Sequence, residues 1–211
     1  MKAQNTRIAT ISNGRGNMVT AAMFALLDRL GATEPARSAR PLLDHLDGTR
    51  AVLAAWGSPA ELCLAGLFHS AYGAEGGAAR ARDANLEWRG EVRAVIGLAA
   101  EELAYLYSAL ERRHLFGNAV RSGDYAVNDL FAKVEVPVSE TTLRSLFELD
   151  AANFVEGPLT RFDEFDDEFL ARYRSLWEAA QRFMTRQAYA AVIARFDALA
   201  EKRRAGKPAT A

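Results

Sequence analysis

The sequence predicts an all-α fold that carries one small β-hairpin. The chain has 211 residues, half of them hydrophobic, which is enough to bury a hydrophobic core without disulfides or a structural metal. Its apolar residues recur mainly at helical spacing, and alanine is abundant. Only residues 119–138 alternate apolar and polar side chains as a strand or hairpin does.

Capping residues indicate where the helices begin and end. Asn17 is placed to cap a first helix, and Pro41 begins a second that stops at Gly57. Ser58 caps a third helix, which is expected to end at Gly73. Further helices are predicted over residues 91–113 with a break at Gly97, over 140–156 behind a Ser139 cap, and over about 164–183 and 186–203.

These segments divide the chain into regions of different expected roles. Residues 1–16 form an N-terminal arm, and residues 17–157 form the main helical domain. The helical pair over 158–204 is expected to pack on the same core or to serve as a dimer arm, so a homodimer is one expected assembly. Residues 205–211 are expected to be a disordered tail.

Composition and charge exclude several classes of partner. The chain has 26 basic and 27 acidic residues, which argues against nucleic-acid binding, since that function usually shows a basic surplus. It has no apolar run approaching the ~20 residues of a membrane span, and no signal peptide is recognisable. Its one cysteine, Cys63, cannot form an internal disulfide or a zinc cluster. We therefore expect a cytoplasmic protein that takes a small molecule.

Two of the three histidines occupy positions that suggest chemistry. His45 lies on the apolar face of the second predicted helix, with Leu42, Thr49 and Leu53. His69 lies on a face of small residues in the third helix, where a neighbouring helix could approach closely. Imidazole is a common transition-metal ligand, and helical bundles build such sites in their cores. The alternative is a pair of hydrogen-bonded core histidines.

Few carboxylates share such a placement. Glu102 is expected on the buried line of its helix between Leu98 and Leu106, whereas Glu101 shares a face with Tyr105. Asp150 follows Leu146 and Phe147 on an apolar face. A buried carboxylate needs a metal, a histidine or an arginine as partner, because its desolvation costs several kcal/mol. Glu111, Arg112 and Arg113 are expected to form a solvated helix end.

The middle of the chain resembles two known families. His45, the turn Trp56-Gly57-Ser58-Pro59 and the helix LCLAGLFHSAYGAE resemble the start of HD-superfamily domains, in particular the RelA/SpoT-type hydrolase pattern of a histidine helix, a short turn and an "AALLHD" helix. More narrowly, DHLDGTRAVLAAWG, LAGLFHSAYG, EELAYLYSALERR and ELDAANFVE resemble DUF6817, a family of bacterial proteins. The narrower likeness covers roughly residues 20–157, and the HD likeness covers residues 42–75.

The HD resemblance implies a helical metal site with an altered ligand set. In HD domains two histidines, an aspartate next to the second and a later aspartate bind one or two metals for phosphohydrolysis, and a di-iron minority performs oxygenation. His45 matches the first histidine and His69 the second, but Ser70 occupies the place of the aspartate. A neutral serine is a poor metal ligand. For the later aspartate, Glu102, Glu111 and Asp150 compete.

With Ser70 in place of the aspartate, the resemblance implies a site for a single metal ion. His45 and His69, with Glu102 or Asp150 as the carboxylate, would suit Fe or Mn better than Zn. In a hydrolytic version, Glu75 or Glu102 would shuttle protons, and Ser70 is a further candidate catalytic residue. Tyr72 would donate a hydrogen bond into the same cavity, or it simply packs at the helix end.

Two functions follow from these residues. The first is a divergent HD-like, metal-dependent enzyme that hydrolyses or oxidises a small polar metabolite. The second is an HD-like module that has lost its metal and binds a small molecule or a protein partner. A third alternative is a helical dimer in which the histidines serve only the core.

Overall fold

A computed structural model describes residues 19–30, 42–73 and 86–206. Its fold confirms the prediction of an all-α protein with a small β-hairpin. The α-helices in these ranges are α1 (Ala21–Arg29), α2 (Leu42–Ala55), α3 (Ala60–Leu67), α4 (Arg89–Ile96), α5 (Leu98–Ala109), α6 (Arg112–Gly117), α7 (Glu140–Glu156), α8 (Asp167–Ala179) and α9 (Arg186–Gly206). Two antiparallel strands, β1 (Ala126–Asp129) and β2 (Val134–Pro137), form the hairpin. None of the described helices is both long and apolar enough to cross a membrane.

Several predicted boundaries are confirmed by their local geometry. Gly57 follows α2 with φ +76°, and Gly97 separates α4 from α5 with φ +86°, a conformation that glycine adopts at little cost. The hydroxyl of Ser139 accepts the Thr142 backbone N–H at 3.0 Å and caps α7. These signals are local, which is why the sequence displays them.

Other boundaries differ from the prediction. The third helix ends at Leu67 rather than near Gly73, and the Phe68 N–H is shared between two carbonyls in a tightened last turn. His69 therefore lies in a turn, not on a helix. Thr20 caps α1, whereas Asn17 lies outside the described residues. The α9 helix continues to Gly206, into the predicted tail.

Helix α7 forms the centre of the packing. Every residue from 146 to 154 is buried, so this helix is surrounded on all sides rather than amphipathic. It packs against α2 and α3 on one side and against α9 on another. Phe154 of α7 lies 5.0 Å, between ring centroids, from Phe196 of α9. The last two helices thus share one hydrophobic cluster with α2 and α7.

Helices α2 and α3 approach each other at Gly66. A Cβ at this position would lie 2.7 Å from Cδ1 of Leu53 and 3.5 Å from the Arg50 backbone. The expected close approach at the small-residue face is confirmed. It brings α2, whose first half carries His45, next to the turn that carries His69.

Candidate functional site

His45 is held in place by a carboxylate from the C-terminal end of α7. Its Nδ1 forms a short hydrogen bond with Oε2 of Glu156, the last residue of α7. The His45 side chain is 18% exposed and the Glu156 side chain 6% exposed. An ionised carboxylate only accepts hydrogen bonds, so the neutral imidazole would carry its proton on Nδ1 and leave Nε2 as the acceptor nitrogen.

His69 has the same arrangement with a backbone partner. It is fully buried, and its Nδ1 lies 2.7 Å from the Gly66 carbonyl oxygen. Since a carbonyl only accepts, Nδ1 again carries a proton, and in the neutral imidazole Nε2 is the acceptor. The ring centroids of His45 and His69 are 5.2 Å apart at 84°. The two histidines therefore meet, as the sequence predicts.

Tyr107 of α5 connects the histidines to a buried ion pair. Its ring lies 5.7 Å from that of His69, and its hydroxyl donates to Oδ1 of Asp150 at 2.7 Å. The same hydroxyl oxygen accepts from Nη2 of Arg112 and from Nδ2 of Asn153, both at 2.8 Å. One phenol thus holds three polar side chains together.

Asp150 is buried and paired with an arginine. Nε of Arg112 donates to its Oδ1 at 2.8 Å, and the Asp150 side chain is 1% exposed. A metal, a histidine or an arginine was expected as the partner of this carboxylate, and the structure shows an arginine. Arg112 was expected at a solvated helix end, and that expectation was wrong, because α6 turns its first residue back onto α7.

Three oxygens near this network have no hydrogen bond within the described part of the chain. They are Oδ2 of Asp150, Oγ of Ser70 and Oδ1 of Asn153, and all three atoms are buried. An unsatisfied buried polar atom costs about 1–3 kcal/mol, so such atoms commonly face a water, an ion or a ligand. Ser70 itself lies in the turn after α3.

A second buried carboxylate organises a separate network. Glu101 of α5 is fully buried and accepts from Arg89 at 2.6 Å, from Arg93 at 2.8 Å and from the Tyr72 hydroxyl at 2.8 Å. The guanidinium of Arg89 lies 3.7 Å over the Tyr105 ring. These contacts join α4 to α5 across the break at Gly97.

The pKa values in this second network reflect its charges. Burial by itself would raise the pKa of Glu101, but the hydrogen bonds from Arg89, Arg93 and Tyr72 together lower it. Burial, followed by the hydrogen bond to Glu101, raises the pKa of Tyr72. Burial, followed by the hydrogen bond to Asp129, raises the pKa of Tyr105 to about 12. Glu101 is therefore an ionised carboxylate at neutral pH.

The remaining predicted site residues do not lie at the histidine pair within the described part of the chain. Glu102 is exposed and Glu101 is buried, the reverse of the expectation. The reason is that Leu98, used to define the inner face, is 53% exposed just after the Gly97 break. Tyr72 binds Glu101 rather than the histidine site. Glu75 lies outside the described residues.

The described residues do not form a complete metal site by themselves. Within residues 19–30, 42–73 and 86–206, no three His, Cys, Asp or Glu side chains are grouped so as to hold a metal ion. His45 and His69 can offer two nitrogen ligands, and Asp150 is a buried carboxylate linked to His69 through Tyr107. A metal here would need water, substrate or a shift of Asp150 to complete its coordination.

The sequence analysis missed Glu156, Tyr107 and Arg112 as parts of this site. Glu156 lies at the end of a helix before Gly157-Pro158 and has no local signal, because its partner His45 is 111 residues away. Tyr107 has the helical spacing of an ordinary core residue. Only the tertiary contacts identify their roles.

Together, the fold and these contacts define a helical domain in which a buried histidine and a partly exposed one meet beside a Tyr-Asp-Arg network. Over residues 26–112 the chain matches the family model described as a domain of unknown function, DUF6817. The match spans both histidines and Tyr107 and stops at Arg112, so Asp150 and Glu156 lie beyond it. The expected likeness to this family is therefore supported over residues 26–112. No curated protein and no solved structure matches the chain significantly.

Proposed function

We propose that this protein is a metal-dependent enzyme of HD-like architecture that hydrolyses or oxidises a small polar metabolite. One observation carries the proposal. His45 and His69 each have Nδ1 engaged, by the Glu156 carboxylate and the Gly66 carbonyl, and their rings lie 5.2 Å apart. Metal-binding histidines are typically held in this way, because a second acceptor fixes the tautomer that presents Nε2. The likeness of residues 42–75 to HD domains supports the same interpretation.

The donor set suits iron or manganese. Two imidazoles and one carboxylate are the ligands of mononuclear Fe(II) sites that keep open positions for water or substrate. Asp150 is the carboxylate best placed by its burial, and its Oδ2 accepts no hydrogen bond from the described residues. A bound divalent metal would supply Lewis acidity and lower the pKa of bound water.

The surrounding residues position these donors and control access. Glu156 orients the His45 ring, and Tyr107 orients Asp150. His69 is fully buried, whereas the His45 side chain is 18% exposed. Substrate would therefore approach from the His45 side, while water is excluded behind His69.

A metal-free binding module is the second candidate. It is favoured by the pairing of Asp150 with Arg112, which already neutralises the carboxylate. In this case the buried Oγ of Ser70, together with His69, would hydrogen-bond an organic ligand or a partner's polar group. The proposals differ in whether a metal is required.

The first test is the metal content of tag-free protein. Elemental analysis after anaerobic loading with Fe(II) or Mn(II) is expected to find about one metal per chain in the wild type and little in His45→Ala or His69→Ala. His114→Ala is the matched control, because the His114 side chain is 47% exposed on α6. It should keep the metal.

The absence of metal from the loaded wild-type protein would contradict the proposed enzyme. If loaded wild-type protein contains no metal while its helical circular dichroism is native, the binding module is the better account. Should His69→Ala fail to fold, His45→Gln provides the same comparison at the partly exposed histidine.

A further inference from the structure

Arg195 of α9 carries a buried guanidinium edge that no described residue pairs. Its Nε and Nη2 are both buried and without a hydrogen-bond partner within the described residues. These two atoms form the side-on edge of the guanidinium, whose parallel N–H bonds match the two oxygens of a carboxylate or phosphate. An unpaired cation in such a position is costly, so its retention calls for an acceptor.

The position of Arg195 connects this edge to the histidine site. Helix α9 packs against α7, and Glu156 lies near enough for its charge to act on Arg195. Burial lowers the pKa of Arg195, and the Glu156 charge only partly opposes that effect. The Glu156 carboxylate makes no hydrogen bond to this edge, and its Oε2 bonds Nδ1 of His45.

The charges around the site leave room for an anion. Asp150 and Glu156 are acids of this region, and Arg112, Arg161 and Arg195 are cations of it, of which Arg112 is paired with Asp150. Both carboxylates thus have partners of their own. Arg195 is only partly buried as a residue, although its Nε and Nη2 are buried, so an anion from solvent would have to enter beside the guanidinium to reach this edge.

We propose that the Nε–Nη2 edge of Arg195 binds an oxyanion, a carboxylate or a phosphate group, of the molecule that the histidine site takes. The identity of that molecule as a substrate rests on the proposed function. The anion site itself requires no metal, since a guanidinium binds oxyanions directly.

The test compares thermal unfolding of the full chain in sodium phosphate, sodium acetate and sodium chloride at equal ionic strength. Phosphate or acetate is expected to raise Tm by about 2–4 °C over chloride at roughly five times the dissociation constant. A response to phosphate alone indicates a phosphorylated ligand, and a response to acetate alone indicates a carboxylate. Equal Tm values in all three salts overturn the proposal.

Two arginine variants test whether the rise of Tm in phosphate or acetate depends on Arg195. Arg195→Met should abolish the anion response and also raise Tm in chloride, because it removes a charged group whose buried edge has no hydrogen-bond partner within the described residues. Arg204→Met, at an exposed arginine of the same helix, should leave the response unchanged. If Arg195→Met instead lowers Tm in chloride, Arg195 has a structural partner and the proposal is wrong.

A third variant separates this proposal from the metal site. His69→Ala should lose the metal yet keep the oxyanion response, because Arg195 lies on α9 and His69 in the turn after α3. A wild type that binds no metal but responds to phosphate through Arg195 would contradict the proposed enzyme and leave the anion site standing. Loss of the response in His69→Ala would show that the anion binds at the metal and would overturn the role of Arg195.

Discussion

Glu156 hydrogen-bonds Nδ1 of His45 across 111 residues of sequence. The contact joins the C-terminal end of α7 to the first half of α2. It depends on Gly48, one turn beyond His45, because a Cβ there would lie 2.8 Å from Cγ and Cδ of Glu156. A glycine in a helix interior is unfavourable by about 1 kcal/mol relative to alanine, and here it leaves space for the carboxylate.

Gly48→Ala should therefore displace Glu156 from His45. We expect metal affinity to fall about 10–100-fold, as when the outer partner of a ligand histidine is removed, with helical circular dichroism intact. Isothermal titration with Mn(II) measures this change. Gly90→Ala is the control, because a Cβ at position 90 of α4 would meet nothing within 4 Å. Unchanged affinity in Gly48→Ala would show that Glu156 does not position His45.

Tyr107→Phe should loosen the network around Asp150. The substitution keeps the ring beside His69 but removes the hydroxyl that contacts Asp150, Arg112 and Asn153. We expect the free energy of unfolding in urea to fall by about 1–3 kcal/mol, since buried polar partners are left unsatisfied. Tyr189→Phe, at a half-buried tyrosine of α9 outside this network, should change it by less than about 0.5 kcal/mol. Similar losses in the two variants would mean that the hydroxyl of Tyr107 has no special role.

Glu101→Gln should change the acid dependence of stability. The pKa of Glu101 is lowered in the folded protein, so its ionisation stabilises the fold above the unfolded pKa of about 4.3. That contribution is lost as pH falls through the folded pKa. At pH 7 the variant should be less stable by about 1–3 kcal/mol, a range that allows for the partial exposure of both arginines.

The difference between wild type and Glu101→Gln should shrink steadily from pH 5 towards pH 2. Urea unfolding at several pH values measures it, with Glu102→Gln as the exposed neighbour control. A difference that stays constant down to pH 2 would contradict the lowered pKa of Glu101.

Local signals explain why some elements could be predicted and others could not. Ser139 and Gly97 act within one turn of the chain, so the start of α7 and the break before α5 are readable in the sequence. The same break shifts the helical phase, which is why Glu102 was expected inside in place of Glu101. No local pattern around Glu101 predicts that Arg89 and Arg93 of α4 donate hydrogen bonds to it.

The sequence by itself determined the helical class, the hairpin region and the two inward histidines, because periodicity and capping depend on neighbours a few residues apart. Only the tertiary structure decided that Glu156 holds His45, that Arg112 neutralises Asp150 and that the Arg195 edge is left unpaired. These pairings join residues far apart in the chain. They follow from how α2, α6 and α9 pack around α7, a helix whose middle is buried on every side.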